Sequence, residues 1–147
     1  MRDSYTPDDP QFLAWRAGTP RPVPASPAWY GLVREHVARG VRFRRARIVS
    51  EPVSDYIRFE FEATAGLNVA AGEDVRWLAR HAASGLLFPA EDFWVFDGQV
   101  VLWNHFAGDD SWVGEERADD LAVAKLCASS FDAAWERGVP HEDYRPA

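Results

Sequence analysis

The chain has 147 residues, the size of one ordinary domain built around a single core. Hydrophobic residues make up 47% and aromatics 14%, too apolar for disorder, and no apolar run approaches the ~20 residues that span a bilayer. The formal net charge of −7 disfavours general nucleic-acid binding, which needs a positive face against phosphate.

The N-terminus, MRDSYTPDDPQ, is polar and Pro-bearing, unlike a secretory signal. A lone Cys127 makes neither an internal disulfide nor a metal site by itself. A cytoplasmic protein is the economical expectation.

Residues 1–26 form a Pro-rich segment in which Asp9 to Ala17 predicts a short helix anchored by Phe12, Leu13 and Trp15. The stretch TPRPVPASP reads as an extended connector. Ser26 followed by Pro27 signals a second helix, with Trp29, Leu32, Val33 and Val37 at apolar spacing and Gly40 as its stop. Val41 to Val49 alternates and predicts a strand, with Val41, Phe43 and Arg45 on one side and further arginines on the other.

Val53 to Ala65 supports two periods. Ile57, Phe59 and Phe61 alternate with charges as in a strand, whereas Val53, Ile57 and Phe61 are spaced by four as in a helix. The short linker Ser50-Glu51-Pro52, with Ser54 or Ser50 as a cap, favours a helix in a strand–helix–strand unit.

Asp74 to Ala79 predicts a short strand. Phe93–Phe96 and Gln99–Phe106 then meet at Asp97-Gly98, a pair that favours a tight hairpin turn. Asp110-Ser111 turns into a further strand at Trp112–Arg117. Asp119 opens a long last helix with Leu121, Ala124, Leu126 (or Cys127), Phe131 and Trp135 inward, closed by Gly138-Val139-Pro140.

Charge is unevenly spread. Arg34, Arg39, Arg42, Arg44, Arg45 and Arg47 lie close together, while acids crowd Asp109 to Asp120. Such an arginine stripe suits an acidic partner or phosphate, or is the solvent face of a helix end and a strand. Arg58, Glu60, Glu73, Asp74 and Arg76 stand close to apolar stretches, which suggests a buried ion-pair network or a set that grips a ligand carboxylate or phosphate.

His36, His81, His105 and His141 show no metal-ligand spacing, so neither a metal nor a cofactor is expected. His105, alternating with Trp103, reads as a cavity residue or a bonded core histidine. Trp77, Phe93, Trp94, Trp103 and Trp112 fall in adjacent predicted strands; core packing, a protein interface and an apolar cleft all use such residues. Cys127 reads as a small core residue.

Three segments carry a resemblance. RARIVSEPVSDYIRFEFE, NVAAGEDVRWLAR and DFWVFDGQVVLWNHF are similar to an actinobacterial family without an assigned activity, over roughly residues 5 to 144. Members are commonly encoded beside helix-turn-helix transcriptional regulators, and usually carry a further N-terminal helix that this sequence is expected to lack. The resemblance therefore implies architecture and neighbourhood rather than chemistry.

The hairpin Glu91–Phe106 also resembles the strand pair that carries the catalytic Asp of phospholipase-D-like phosphodiesterases. Their motif is His-x-Lys, four residues, then Asp. With Asp97 in the Asp place, Ala90 and Asp92 stand where His and Lys belong. Neither supplies the nucleophilic imidazole or the cation on the phosphoryl group that this mechanism needs.

The sequence thus predicts one α/β domain: two N-terminal helices, a mixed sheet of about five strands, a crossover helix and a long C-terminal helix, degenerate phospholipase-D-like in type. The leading expectation is a non-enzymatic regulatory or interaction module that works with a helix-turn-helix regulator, through Arg42 to Arg47 and the Arg58/Glu73/Arg76 set. Direct binding to nucleic acid or membrane is not expected. The alternative is a small-molecule binder or enzyme of specialised metabolism with a Trp-lined pocket. Its ligand contacts would be Arg58, Glu73, Arg76, Trp94, Trp103 and His105, and its acid or base Glu60, Glu73, Asp92 or Asp97.

Overall fold

The computed structural model describes residues 2–20 and 27–147. The Ser26 cap and most of the TPRPVPASP connector lie outside the described residues.

Helix α1 (Pro10–Arg16) starts where the Asp9 carboxylate accepts from the Gln11 N–H, with proline in the first turn. It buries Phe12 and half-buries Trp15, but Leu13 points largely to solvent. Helix α2 (Pro27–Ala38) buries Val33 and ends at Gly40, whose φ of +90° suits glycine. Gly72 is needed for a second reason: at φ +102° a Cβ there would stand 3.0 Å from Val37 Cγ1.

Strands β1 (Phe43–Val49) and β2 (Glu73–Ala79) are parallel and in register from Phe43↔Glu73 to Val49↔Ala79. Parallel neighbours need a crossover, and α3 (Asp55–Thr64) supplies it, continuing as a π-turn through Ala65–Val69. The four-residue period therefore wins over the alternating one in this segment. Ser54, not Ser50, caps α3 by accepting from Ile57 N–H.

The other strands form a separate antiparallel meander: β3 (Asp92–Phe96), β4 (Val100–Phe106) and β5 (Trp112–Ala118). The hairpin turns at Asp97 and Gly98, both at positive φ (51° and 67°), as its sequence predicts. Where the sequence suggested one mixed sheet of about five strands, the strands divide into two three-stranded sheets. The first is completed by β6 (Val139–Pro140), two residues antiparallel to β2 that carry no strand signal of their own.

Helix α4 (Leu121–Arg137) joins the sheets. Asp120 rather than Asp119 caps it, accepting from Ala122 and Val123 N–H. Its Ala124 and Cys127 pack on Val101 of the second sheet, and its Ala134 packs on Ile48 and Leu78 of the first. Leu121 and Leu126, expected inward, are exposed; Cys127 takes the inward place.

The first sheet is thus covered on both faces, as parallel strands require. Val49, Val75 and Trp77 meet Tyr56, Ile57 and Phe59 beneath α3, while Ile48 and Leu78 meet α4. The Trp77 ring stacks on Tyr144 with centroids 5.5 Å apart. The N-terminal segment ties the two sheets together: Asp3 accepts from the Ser50 N–H and hydroxyl at 2.7 Å each, and the Tyr5 hydroxyl donates to Asp92. Among the described residues, no helix is long and apolar enough to cross a membrane.

Candidate functional site

A half-open cleft of about 230 Å³ lies where α1, α2, β1, α3 and the π-turn meet. Its chemistry starts from strand geometry. Side chains two residues apart share a face, so Phe43, Arg45, Arg47 and Val49 all point from β1 toward α3. Glu73, opposite Phe43 in the register, opens β2 on that same face.

Each arginine meets a carboxylate. Arg45 Nε donates to Glu73 Oε2 at 2.6 Å and its Nη2 to Oε1 at 3.3 Å, a two-pronged grip. Trp29 Nε1 at 2.8 Å and Asn68 Nδ2 at 3.1 Å also donate to Glu73 Oε1. The Glu73 side chain is only 1% exposed, so these donors replace the water it has lost. Arg47, 8% exposed, donates from Nη1 to Glu60 on α3. Arg45 lies over the Trp94 ring at 4.7 Å and Arg47 over Trp77 at 5.1 Å.

Burial alone would raise the Glu73 carboxyl, but the Arg45 guanidinium and the surrounding donors hold it below its ordinary value. Burial likewise opposes the Arg47 cation, and Glu60 beside it more than compensates. Desolvation raises the Tyr30 hydroxyl, and the negative Glu60 nearby raises it further. Tyr30 therefore stays a neutral hydroxyl. One donor is left over: Arg47 Nε is the buried side-chain polar atom without a hydrogen-bond partner among the described residues.

The cleft brings together only part of the residues the sequence proposed. Glu60 lines it and Glu73 anchors one wall through Arg45. Arg45 and Arg47 belong to the proposed arginine stripe, and each is turned toward α3 and ion-paired to a carboxylate rather than left to solvent. The Arg58/Glu73/Arg76 set is not assembled. Arg58 lies on the exposed side of α3, and Arg76 projects to the opposite face of the sheet, where Nη1 donates to the Trp135 carbonyl at 2.9 Å. Alternation along β2 separates Arg76 from Glu73 by an odd step, which places them on opposite faces.

The Trp-lined pocket is not assembled either. Trp94 packs behind the wall against Trp29, ring centroids 5.1 Å apart. Trp103 packs edge-on against Phe93 toward α4. His105 Nε2 lies 3.2 Å from Glu116 on the second sheet. Asp97 is an exposed turn residue and Asp92 accepts from Tyr5, so neither lines the cleft. Among the described residues, no group of three His, Cys, Asp or Glu side chains is placed to hold a metal ion.

Sequence reasoning missed the contributions of Asp9, Gln11, Trp29, Tyr30 and Asn68 to this wall or its support. Five separate segments supply the cleft, and only the inward pair Phe43 and Arg45 left a readable trace, with Arg47 assigned to the wrong side of the strand.

Comparison with curated proteins and with solved structures finds no match. A family model does match, that of a domain of unknown function, DUF6879, over residues 1–146. With nearly the whole length matched, the chain belongs to the DUF6879 family.

Proposed function

We propose that this domain is a non-catalytic regulatory module that receives a small ligand in the polar cleft and acts with a helix-turn-helix transcriptional regulator. The observation that carries the non-catalytic part is the state of the buried acid. Glu73 is held below its ordinary pKa and its oxygens accept from Arg45, Trp29 and Asn68. A general acid or base for neutral pH needs the opposite environment, with the pKa raised toward 7 and a lone pair or proton free to move. Fixed ion-paired groups bind and orient instead.

The regulator part rests on the actinobacterial resemblance and the gene neighbourhood it implies. A net charge of −7 suits a division of labour in which the partner, not this domain, meets DNA phosphate. Such work belongs in the cytoplasm. On this reading the domain resembles a degenerate phospholipase-D-like half-domain in which Asp97 holds the Asp place and Ala90 and Asp92 stand where His and Lys belong.

Co-expression with the neighbouring regulator, followed by native mass spectrometry, tests the proposal. A complex of fixed stoichiometry supports it. Turnover in a broad hydrolase screen, abolished by Glu73→Ala in a variant that still folds, would overturn it.

A further inference from the structure

The cleft carries enough chemistry to specify its ligand class, on the reading that it receives a ligand at all. We infer that it takes a small zwitterion, an ammonium and a carboxylate on one amino-acid-sized body.

The charges of the wall come in matched pairs. Arg45 and Arg47 contribute two positive charges, Glu60 and Glu73 cancel them, and Asp9 adds one more carboxylate. An isolated anion such as phosphate would meet guanidiniums already neutralised, and would also face the Glu60 and Asp9 carboxylates. An isolated cation would meet two guanidiniums. A molecule with both charges finds a complement for each.

Unused hydrogen-bonding capacity points the same way. Arg47 Nε–H lacks an acceptor, and leaving a buried donor unpaired is costly enough that proteins seldom do so. Arg47 lines the cleft, and a carboxylate drawn in beside it would supply that acceptor once Nε is uncovered. The Tyr30 hydroxyl, which makes no hydrogen bond among the described residues, is a second donor in the same wall. Glu60 and Asp9 offer the acceptors an ammonium needs, and the Trp29 and Tyr30 rings provide faces that favour a cation.

Size favours a small body, although the cleft is open on one side. The 230 Å³ volume falls below the ~300–1,000 Å³ of sites for drug-sized ligands. It equals the liquid volume of about seven or eight waters at ~30 Å³ each, the scale of a free amino acid.

The test is a titration of ¹⁵N-labelled protein that follows the Arg47 Nε–Hε resonance, assigned by its loss in Arg47→Lys. The probes are the common amino acids in pools and glycine betaine, with sodium phosphate, sodium acetate and methylammonium chloride as single-charge controls at matched ionic strength. The expected result is that a zwitterion shifts the resonance, raises Tm by about 3 °C or more at saturation, and binds roughly tenfold more weakly to Tyr30→Phe. Phosphate or acetate shifting the resonance as strongly as any zwitterion would overturn the class and leave ligand binding standing. A resonance that no probe moves overturns the class as well. Native mass spectrometry of the purified protein then separates the two ideas: a retained molecule of another kind preserves the binding reading, and a bare protein mass removes it.

Discussion

The two faces of the β1–β2 pair carry the same residue type and bury it to different depths. Toward α3, Arg45 and Arg47 are largely withdrawn from water and each is matched to a carboxylate. Toward α4, Arg44 and Arg76 sit at the margin, over aromatic rings. Arg44 lies 4.8 Å from the Phe131 centroid and reaches Asp132 at 3.2 Å, while Arg76 lies 4.5 Å from the Trp135 centroid. Burial decides which partner an arginine needs. A guanidinium cut off from water depends on its counter-charge, whereas around a half-exposed one water shares the work with a ring face and a carbonyl, as at Arg76, or with an exposed carboxylate, as at Arg44.

That contrast predicts a graded set of effects. The largest is expected for Glu60→Ala, which leaves the Arg47 cation buried without its carboxylate and should cost about 3 kcal/mol in urea unfolding. A loss no larger than that of a surface mutant would show that water already solvates Arg47 through the cleft.

Arg45→Met comes next, at about 2 kcal/mol, because Glu73 keeps its Trp29 and Asn68 donors. The same site sharpens the comparison through pH. The folded-state pKa of Glu73 is depressed, so its contribution is full above the unfolded carboxylate value and disappears as pH falls through the folded one. Wild type should therefore lose stability more steeply in acid than Glu73→Gln, as read from unfolding midpoints taken at successive pH values. Parallel pH profiles would contradict the ion pair.

On the other face the effects shrink. Arg76→Ala removes one ring contact and one bond to a carbonyl, and should cost about 1 kcal/mol. Arg44→Ala, whose pair with Asp132 is well exposed to solvent, should cost roughly 0.5 kcal/mol and lose most of that in high salt. If Arg44 and Arg76 proved as costly as Arg45, burial would not be the variable that separates the two faces.

How much of this was legible follows from the range of each signal. Local chemistry was readable: Asp97-Gly98 gave the hairpin, and Ser54 with the four-residue spacing of Ile57 and Phe61 gave the crossover helix. The split into two sheets was not, because pairing is a long-range property and β6 is two residues that read only as the end of a helix. The cleft was half legible. Alternation along β1 gave Phe43 and Arg45 one face but left Arg47 with the arginines of the other, and nothing local matched Arg47 with Glu60 thirteen residues on, or Glu73 with Trp29 from a different helix. Grouping Arg58, Glu73 and Arg76 by nearness in sequence overlooked that α3 turns Arg58 outward and that β2 sends Glu73 and Arg76 to opposite faces.

The most direct test is native mass spectrometry of the protein purified from its own cells, wild type beside Arg47→Lys. A small-molecule adduct on the wild type that is missing from the folded variant is the predicted result. A bare wild-type mass, with hydrolytic turnover that depends on Glu73, would contradict the reading of this domain as a non-catalytic ligand-binding module.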